Sequence, residues 1–132
     1  MKKKIILTIT FLISLLPMLL NQDGGMKGVQ DISGLINLFN PIGILSVLVF
    51  FVGVWASFKN KKINKILGTL GTIGIVVSEI YEFFTWYIMN ITGKMSIQNS
   101  IKFAFPEFYV GLVISLIMIF AYLFIDNLEA NK

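Results

Sequence analysis

The sequence contains no cysteine, no histidine and no arginine. Without cysteine there is no disulfide, thiolate metal site, haem attachment or lipidated cysteine. Without histidine the commonest general base and metal ligand is missing. All 11 cationic side chains are lysine, so no guanidinium fork can clamp a carboxylate or phosphate. Charge is scarce as well: 14% of the residues are charged, against about a quarter in soluble domains.

Apolar residues fill the gap. They make up 56% of the 132 residues, and the mean hydropathy is +0.83. That surplus exceeds what a core of this size can bury and points to lipid as the solvent. A disordered chain, a coiled coil and an ordinary soluble enzyme are excluded, and the length allows one domain over residues 1–132. The expected class is an all-α integral membrane protein. Heavy use of Lys, Ile and Asn is what an AT-rich genome favours, which points to a low-GC bacterium and its plasma membrane. The net charge of +4 is no sign of nucleic acid, because the lysines sit at the ends of apolar stretches, where they set orientation.

Four such stretches stand out: 5–20, 41–58, 66–89 and 108–125. Each is too long for a strand, and backbone groups in lipid must be satisfied within their own segment, so four transmembrane helices in two hairpins are expected. The first, of 16 residues, spans roughly 24 Å and is short for a ~30 Å hydrocarbon core. It also fits the apolar region of a signal peptide, but Asn21-Gln22-Asp23-Gly24-Gly25 offers no small-residue cleavage site, and a retained helix is expected. With the N-terminus inside, Lys2, Lys3, Lys4, Lys59, Lys61, Lys62, Lys65 and Lys132 are cytoplasmic, while Lys27, Lys94 and Lys102 are outside. Both termini are then cytoplasmic, 59–65 is a tight inner turn, and 21–40 and 90–107 are outer loops. The lysine-rich inner turn reads first as a topology anchor and second as a contact for anionic lipid.

Each outer loop ends in a proline expected to open a helix, Asn40-Pro41 and Pro106-Glu107. The halves read either as a parallel internal repeat or as chance similarity between apolar stretches: Lys4-Ile5-Ile6-Leu7-Thr8-Ile9 aligns with Lys65-Ile66-Leu67-Gly68-Thr69-Leu70, and both halves then reach Phe and Pro.

Glu79 and Glu82 are the only acidic residues inside an apolar stretch, and their i, i+3 spacing puts them on one helix face. Gly68, Gly71, Gly74, Ser78 and Trp86 extend that face into a small-and-polar stripe, expected to face protein because carboxylates are costly against lipid. Glu79, Glu82 and Trp86 are therefore the candidate ligand- or ion-binding residues, for a proton or cation. The competing expectation is interfacial, with the glutamates in the headgroup region beside Tyr81, Phe83, Phe84, Trp86 and Tyr87, and Glu79 within reach of Lys102. Small residues four apart, Thr10/Ser14, Gly53/Ser57, Gly74/Ser78 and Gly111/Ser115, are expected to let helices pack closely.

No catalytic set is present: nucleophilic chemistry lacks an activating base, and Asp23, Asp31 and Asp126 lie outside the apolar stretches. Neither a metal nor a cofactor is expected. Small multidrug exporters match in size but carry their essential carboxylate in the first helix, which here has none. Small basic four-helix chains are a common form of bacteriocin self-immunity proteins and transporter subunits. The expected function is a non-catalytic accessory or immunity-type factor whose partners are the lipid bilayer and another membrane protein or an extracellular peptide at the outer loops. A small transporter or channel using Glu79 and Glu82, or a homo-oligomeric pore, is the alternative.

Overall fold

A computed structural model describes residues 1–25, 30–85 and 97–130, with side chains given to residue 124. The chain is mostly helical. In order it forms α1 (Lys2–Ser14), a 3-10 turn (Leu16–Leu19), β1 (Asn21–Asp23), β2 (Ile32–Ser33), α2 (Leu35–Phe39), α3 (Pro41–Trp55), α4 (Lys61–Thr85), α5 (Ile97–Phe103) and α6 (Pro106–Ala130).

Among the described residues two helices, Lys61–Thr85 and Pro106–Phe124, are long and apolar enough to cross a membrane, where the sequence predicts four. The first stretch fails as a span because Pro17 lacks a backbone N–H and its ring blocks helical continuation. α1 stops at Ser14, Leu15 keeps a helical conformation, and the chain tightens into the 3-10 turn instead of running on to Leu20. The second stretch ends at Trp55, since Ala56 is extended with ψ 144°. Its 15 residues reach about 22 Å. The long helices are longer than predicted: α4 begins at Lys61, inside the expected inner turn, and α6 begins at Pro106.

Asn40 caps α3 as its sequence suggests. Its side-chain oxygen accepts from Gly43 N at 2.7 Å, and Pro41 takes the first helical position. The closest helix pair is α3 with α4, not the two members of either predicted hairpin. A Cβ on Gly53 would strike the backbone of Gly68, one on Gly71 the backbone of Phe50, and one on Gly74 the side chain of Ser46. Around this seam the core gathers Leu7, Phe11, Met18, Phe50, Val54, Ile75, Met118 and Tyr122. Phe11 stacks on Phe50 with ring centroids 3.8 Å apart, and Tyr122 meets Phe50 edge-on at 6.0 Å. The outward faces stay apolar: Ile5, Ile9 and Leu12 on α1, and Val113, Ile117 and Phe120 on α6, are each at least half exposed or close to it.

The segment predicted as the 21–40 loop is built rather than open. β1 and β2 pair antiparallel, Asn21 with Ser33 and Asp23 with Ile32, with an irregularity between. Gly25 sits at φ +73°, and its N–H donates to the Asp31 carboxylate at 2.9 Å. The second predicted loop contributes α5 and a short extended piece that pairs with β1. Gly24 N donates to Phe103 O at 2.9 Å and Phe105 N to Gln22 O at 2.7 Å. Gly34 N donates to Leu20 O at 3.1 Å, and Ser33 Oγ to Met18 O at 3.1 Å. These bonds join both loops and the 3-10 turn into one cap over the loop end of the bundle. At the other end lie Lys3, Lys4, Lys61 and Lys65.

Candidate functional site

Beneath the cap, α4 turns Ser78, Glu79 and Glu82 inward. Glu79 is fully enclosed (0% exposed) and Glu82 is 9% exposed. α6 supplies Ser115, whose Oγ donates to Glu79 Oε1 at 3.2 Å. One turn earlier, Gly111 leaves room for two groups: a Cβ there would lie 3.0 Å from Gln22 Nε2 and 3.6 Å from Glu79 Oε1. β1 thus delivers Gln22 beside Glu79, and it also delivers Asp23 within electrostatic reach of Glu82.

α2 closes the remaining side. Asn37 Nδ2 donates to Gln22 Oε1 at 3.3 Å, while its backbone carbonyl accepts from Ser78 Oγ at 2.8 Å. Ser78 in turn accepts from Asn40 Nδ2 at 2.7 Å. Because Asn40 is also the α3 cap, the cluster is tied directly to a helix start. Gln22, Asp23, Asn37, Ser78, Glu79 and Ser115 are all buried.

The network is unbalanced. Among the described residues, buried side-chain oxygens without a partner include Asp23 Oδ1, Asn37 Oδ1 and Glu79 Oε2. All three are acceptors. Leaving a buried acceptor unpaired costs about 1–3 kcal/mol, so the cluster is short of donors. A proton, a water or a small cation is what would complete it. Burial, and secondly the charge of Glu82, push the Asp23 carboxyl up to about 7. A proton held there turns one of the acceptors into a donor. No three described acidic side chains converge closely enough to hold a metal ion.

The structure therefore places Glu79 and Glu82 on one buried face with Gly68, Gly71, Gly74 and Ser78. Gly53 lies on the same seam near the lysine end, and Gly111 and Ser115 face the cluster from α6. Ser57 is a correction: α3 has already ended, and Ser57 is exposed rather than packed between helices. The expected approach of Lys102 to Glu79 is also absent; the Lys102 ammonium lies 5.3 Å over the Phe103 ring. Trp86 and Tyr87 fall outside the described residues.

Sequence reasoning missed Gln22, Asp23 and Asn37, which it assigned to a water-facing loop. The available signal was Pro17: a chain broken there folds back over the bundle end and carries Gln22 and Asp23 inward. Comparison with protein-family models, with curated proteins and with solved structures finds no match, so the reading rests on the chain's own chemistry.

Proposed function

We propose that this chain is a small non-catalytic membrane protein of the bacterial plasma membrane, acting as an accessory or immunity-type factor that binds a partner protein or peptide at its capped end. On this reading α4 and α6 cross the bilayer, and α1 with its 3-10 turn and α3 complete a four-helix bundle. The lysines gathered at the opposite end support, by the positive-inside rule, a cytoplasmic side there. Support for a lipid setting comes from the apolar outward faces of α1 and α6.

The observation that carries the binding role is the cap. Its segments are joined by backbone hydrogen bonds, Gly24 to Phe103 and Phe105 to Gln22, rather than by side chains alone. Such bonds hold a fixed outward surface, the kind a partner recognises without first ordering a loop. The same cap encloses Glu79, which argues against a permanently open pore.

A second reading, a proton- or cation-coupled transporter, draws on the surplus of buried acceptors around Glu79 and Asp23. Ion and dye flux through liposomes separates the two. The protein and its Glu79→Gln/Glu82→Gln variant are compared, each first shown to be folded by its helical circular dichroism. The binding role predicts no flux above empty liposomes under proton, sodium or potassium gradients. Flux that the double substitution abolishes replaces it with transport.

A further inference from the structure

At the end away from the cap, the N-terminus of α1 and the turn between α3 and α4 enclose a cleft of about 650 Å³. Lys3, Lys4, Lys61 and Lys65 line it, with Tyr122 from α6. Of the four, Lys3, Lys4 and Lys65 are half-buried and Lys61 is exposed, whereas Lys2, Lys59 and Lys62 of the same two segments are exposed and lie outside the cleft. The cleft thus selects particular lysines from a lysine-rich surface.

Its walls are fixed. Asn64 donates to two carbonyls at the end of α3, Gly53 O at 2.9 Å and, in the residue just after the helix, Ala56 O at 2.7 Å. Lys4 Nζ reaches Trp55 O at 3.4 Å and lies 5.9 Å from the centre of the Trp55 ring, and the Trp55 indole donates to Thr8 at 3.0 Å. Each ammonium has three donors, so the one hydrogen bond seen for Lys4 leaves capacity for an anion. The floor is different in character: the buried Leu7 and Val54 make it apolar, with the exposed Phe58 at its edge.

A polycationic rim over an apolar floor, at the end of two bilayer-length helices, is complementary to an amphiphilic anion. We propose that this cleft is a binding site for an anionic phospholipid, with the phosphate held among Lys3, Lys4, Lys61 and Lys65 and the adjoining glycerol and acyl carbons against Leu7, Val54 and Phe58. A soluble phosphate would use the rim and leave the floor facing water, which is why the lipid is favoured. The inference draws on the membrane placement proposed above and not on the binding or transport role.

The test uses the full chain in detergent, with short-chain phosphatidylglycerol, short-chain phosphatidylcholine or glycerol phosphate added, and retained ligand read by native mass spectrometry. Phosphatidylglycerol is expected to be retained over phosphatidylcholine. The Lys61→Gln/Lys65→Gln variant is expected to weaken that retention about tenfold or more, the size expected for two lysines near an anionic group. Lys59→Gln/Lys62→Gln, equal in charge but outside the cleft, is expected to change it less than threefold, and Lys61→Arg/Lys65→Arg to preserve it. Thermal melting of each variant establishes that it is folded. Equal loss from both glutamine pairs would mean diffuse attraction and overturn the site. No preference over phosphatidylcholine, or equal displacement by glycerol phosphate, would overturn the lipid. Because the readout is lipid retention, the result stands whether or not flux is found.

Discussion

Where α3 meets α4 toward the lysine end, the helices touch backbone to backbone through Gly53, Gly68 and Gly71. Where α4 meets α6 beneath the cap, polar side chains fill the space: Ser115 and Glu79 bond across it, with Gln22 lying beside Gly111. On the membrane reading proposed above, lipid tails are as apolar as leucine and helices gain little from burying apolar surface against each other, so close contact and hydrogen bonds supply the attraction. One end uses the first means and leaves no slack. The other uses the second and leaves three buried acceptors unpaired, against the single Thr69 hydroxyl beside the glycine seam. Tight packing at one end supports polar incompleteness at the other, an arrangement that fits a rigid frame carrying a site.

The most severe way to break this comparison is to add one methyl group at the tight end. A Cβ at Gly53 falls on the backbone of Gly68, and neither helix can move aside without losing the rest of the seam. Gly53→Ala is expected to cost about 3 kcal/mol, the upper part of the range for overpacking. Thermal unfolding in detergent, followed by helical circular dichroism, measures it. A melting temperature equal to that of the native chain would show that the seam is looser than described.

The tight end was largely legible in the sequence and the polar end only in part. Gly68, Gly71 and Gly74 recur at helical spacing, which marks a close-packed face without reference to tertiary structure. Glu79 and Glu82 were visible for the same reason, since i, i+3 spacing fixes a shared face. Asn40-Pro41 announced a helix start through local chemistry alone. Gln22 and Asp23 were signalled only by Pro17, and Asn37 by nothing local, because their burial depends on chain segments far apart in sequence: residues 103–105 pair with β1 beside Asp23. The breaks at Leu15 and Ala56 divide along the same line. Pro17 gave a local signal for the first, whereas α3 ends before an extended alanine whose carbonyl, like that of Gly53, accepts from Asn64 of the next helix.

A smaller effect sharpens the comparison through pH. The Asp23 carboxyl moves from 3.8 up to about 7 on folding, by burial first and by the charge of Glu82 second. Between those values the folded chain binds more protons than the unfolded one. Stability therefore falls as pH rises from about 4 to about 7 and levels off above that. The melting temperature is expected to be higher at pH 5 than at pH 8, and Asp23→Asn, which keeps the shape without the charge, is expected to flatten part of that dependence. A pH-independent melting temperature, or a slope unchanged by Asp23→Asn, would mean that Asp23 is solvated in the folded protein. The tight end contains no acidic group on its seam, so Gly53→Ala is expected to lower the whole curve without changing its slope.

The smallest effect comes from placing the same methyl group at the other end. At Gly111 a new Cβ would meet Gln22 Nε2 at 3.0 Å, Pro17 Cβ at 3.3 Å and Glu79 Oε1 at 3.6 Å. The tightest of these is the tip of a flexible side chain. Gln22 is held there by long hydrogen bonds, 3.4 Å to Pro17 O and 3.3 Å from Asn37 Nδ2, and such bonds yield at small cost. Replacing a helix-interior glycine by alanine also lowers the entropy lost on folding, by about 0.5–1 kcal/mol. The two terms oppose each other, and Gly111→Ala is expected to leave stability within about 0.5 kcal/mol of the native chain. The comparison then turns on an identical change made twice. If Gly111→Ala destabilises as much as Gly53→Ala, the polar cluster is as rigid as the glycine seam, and the slack that would admit a proton, a water or a cation beside Glu79 is absent.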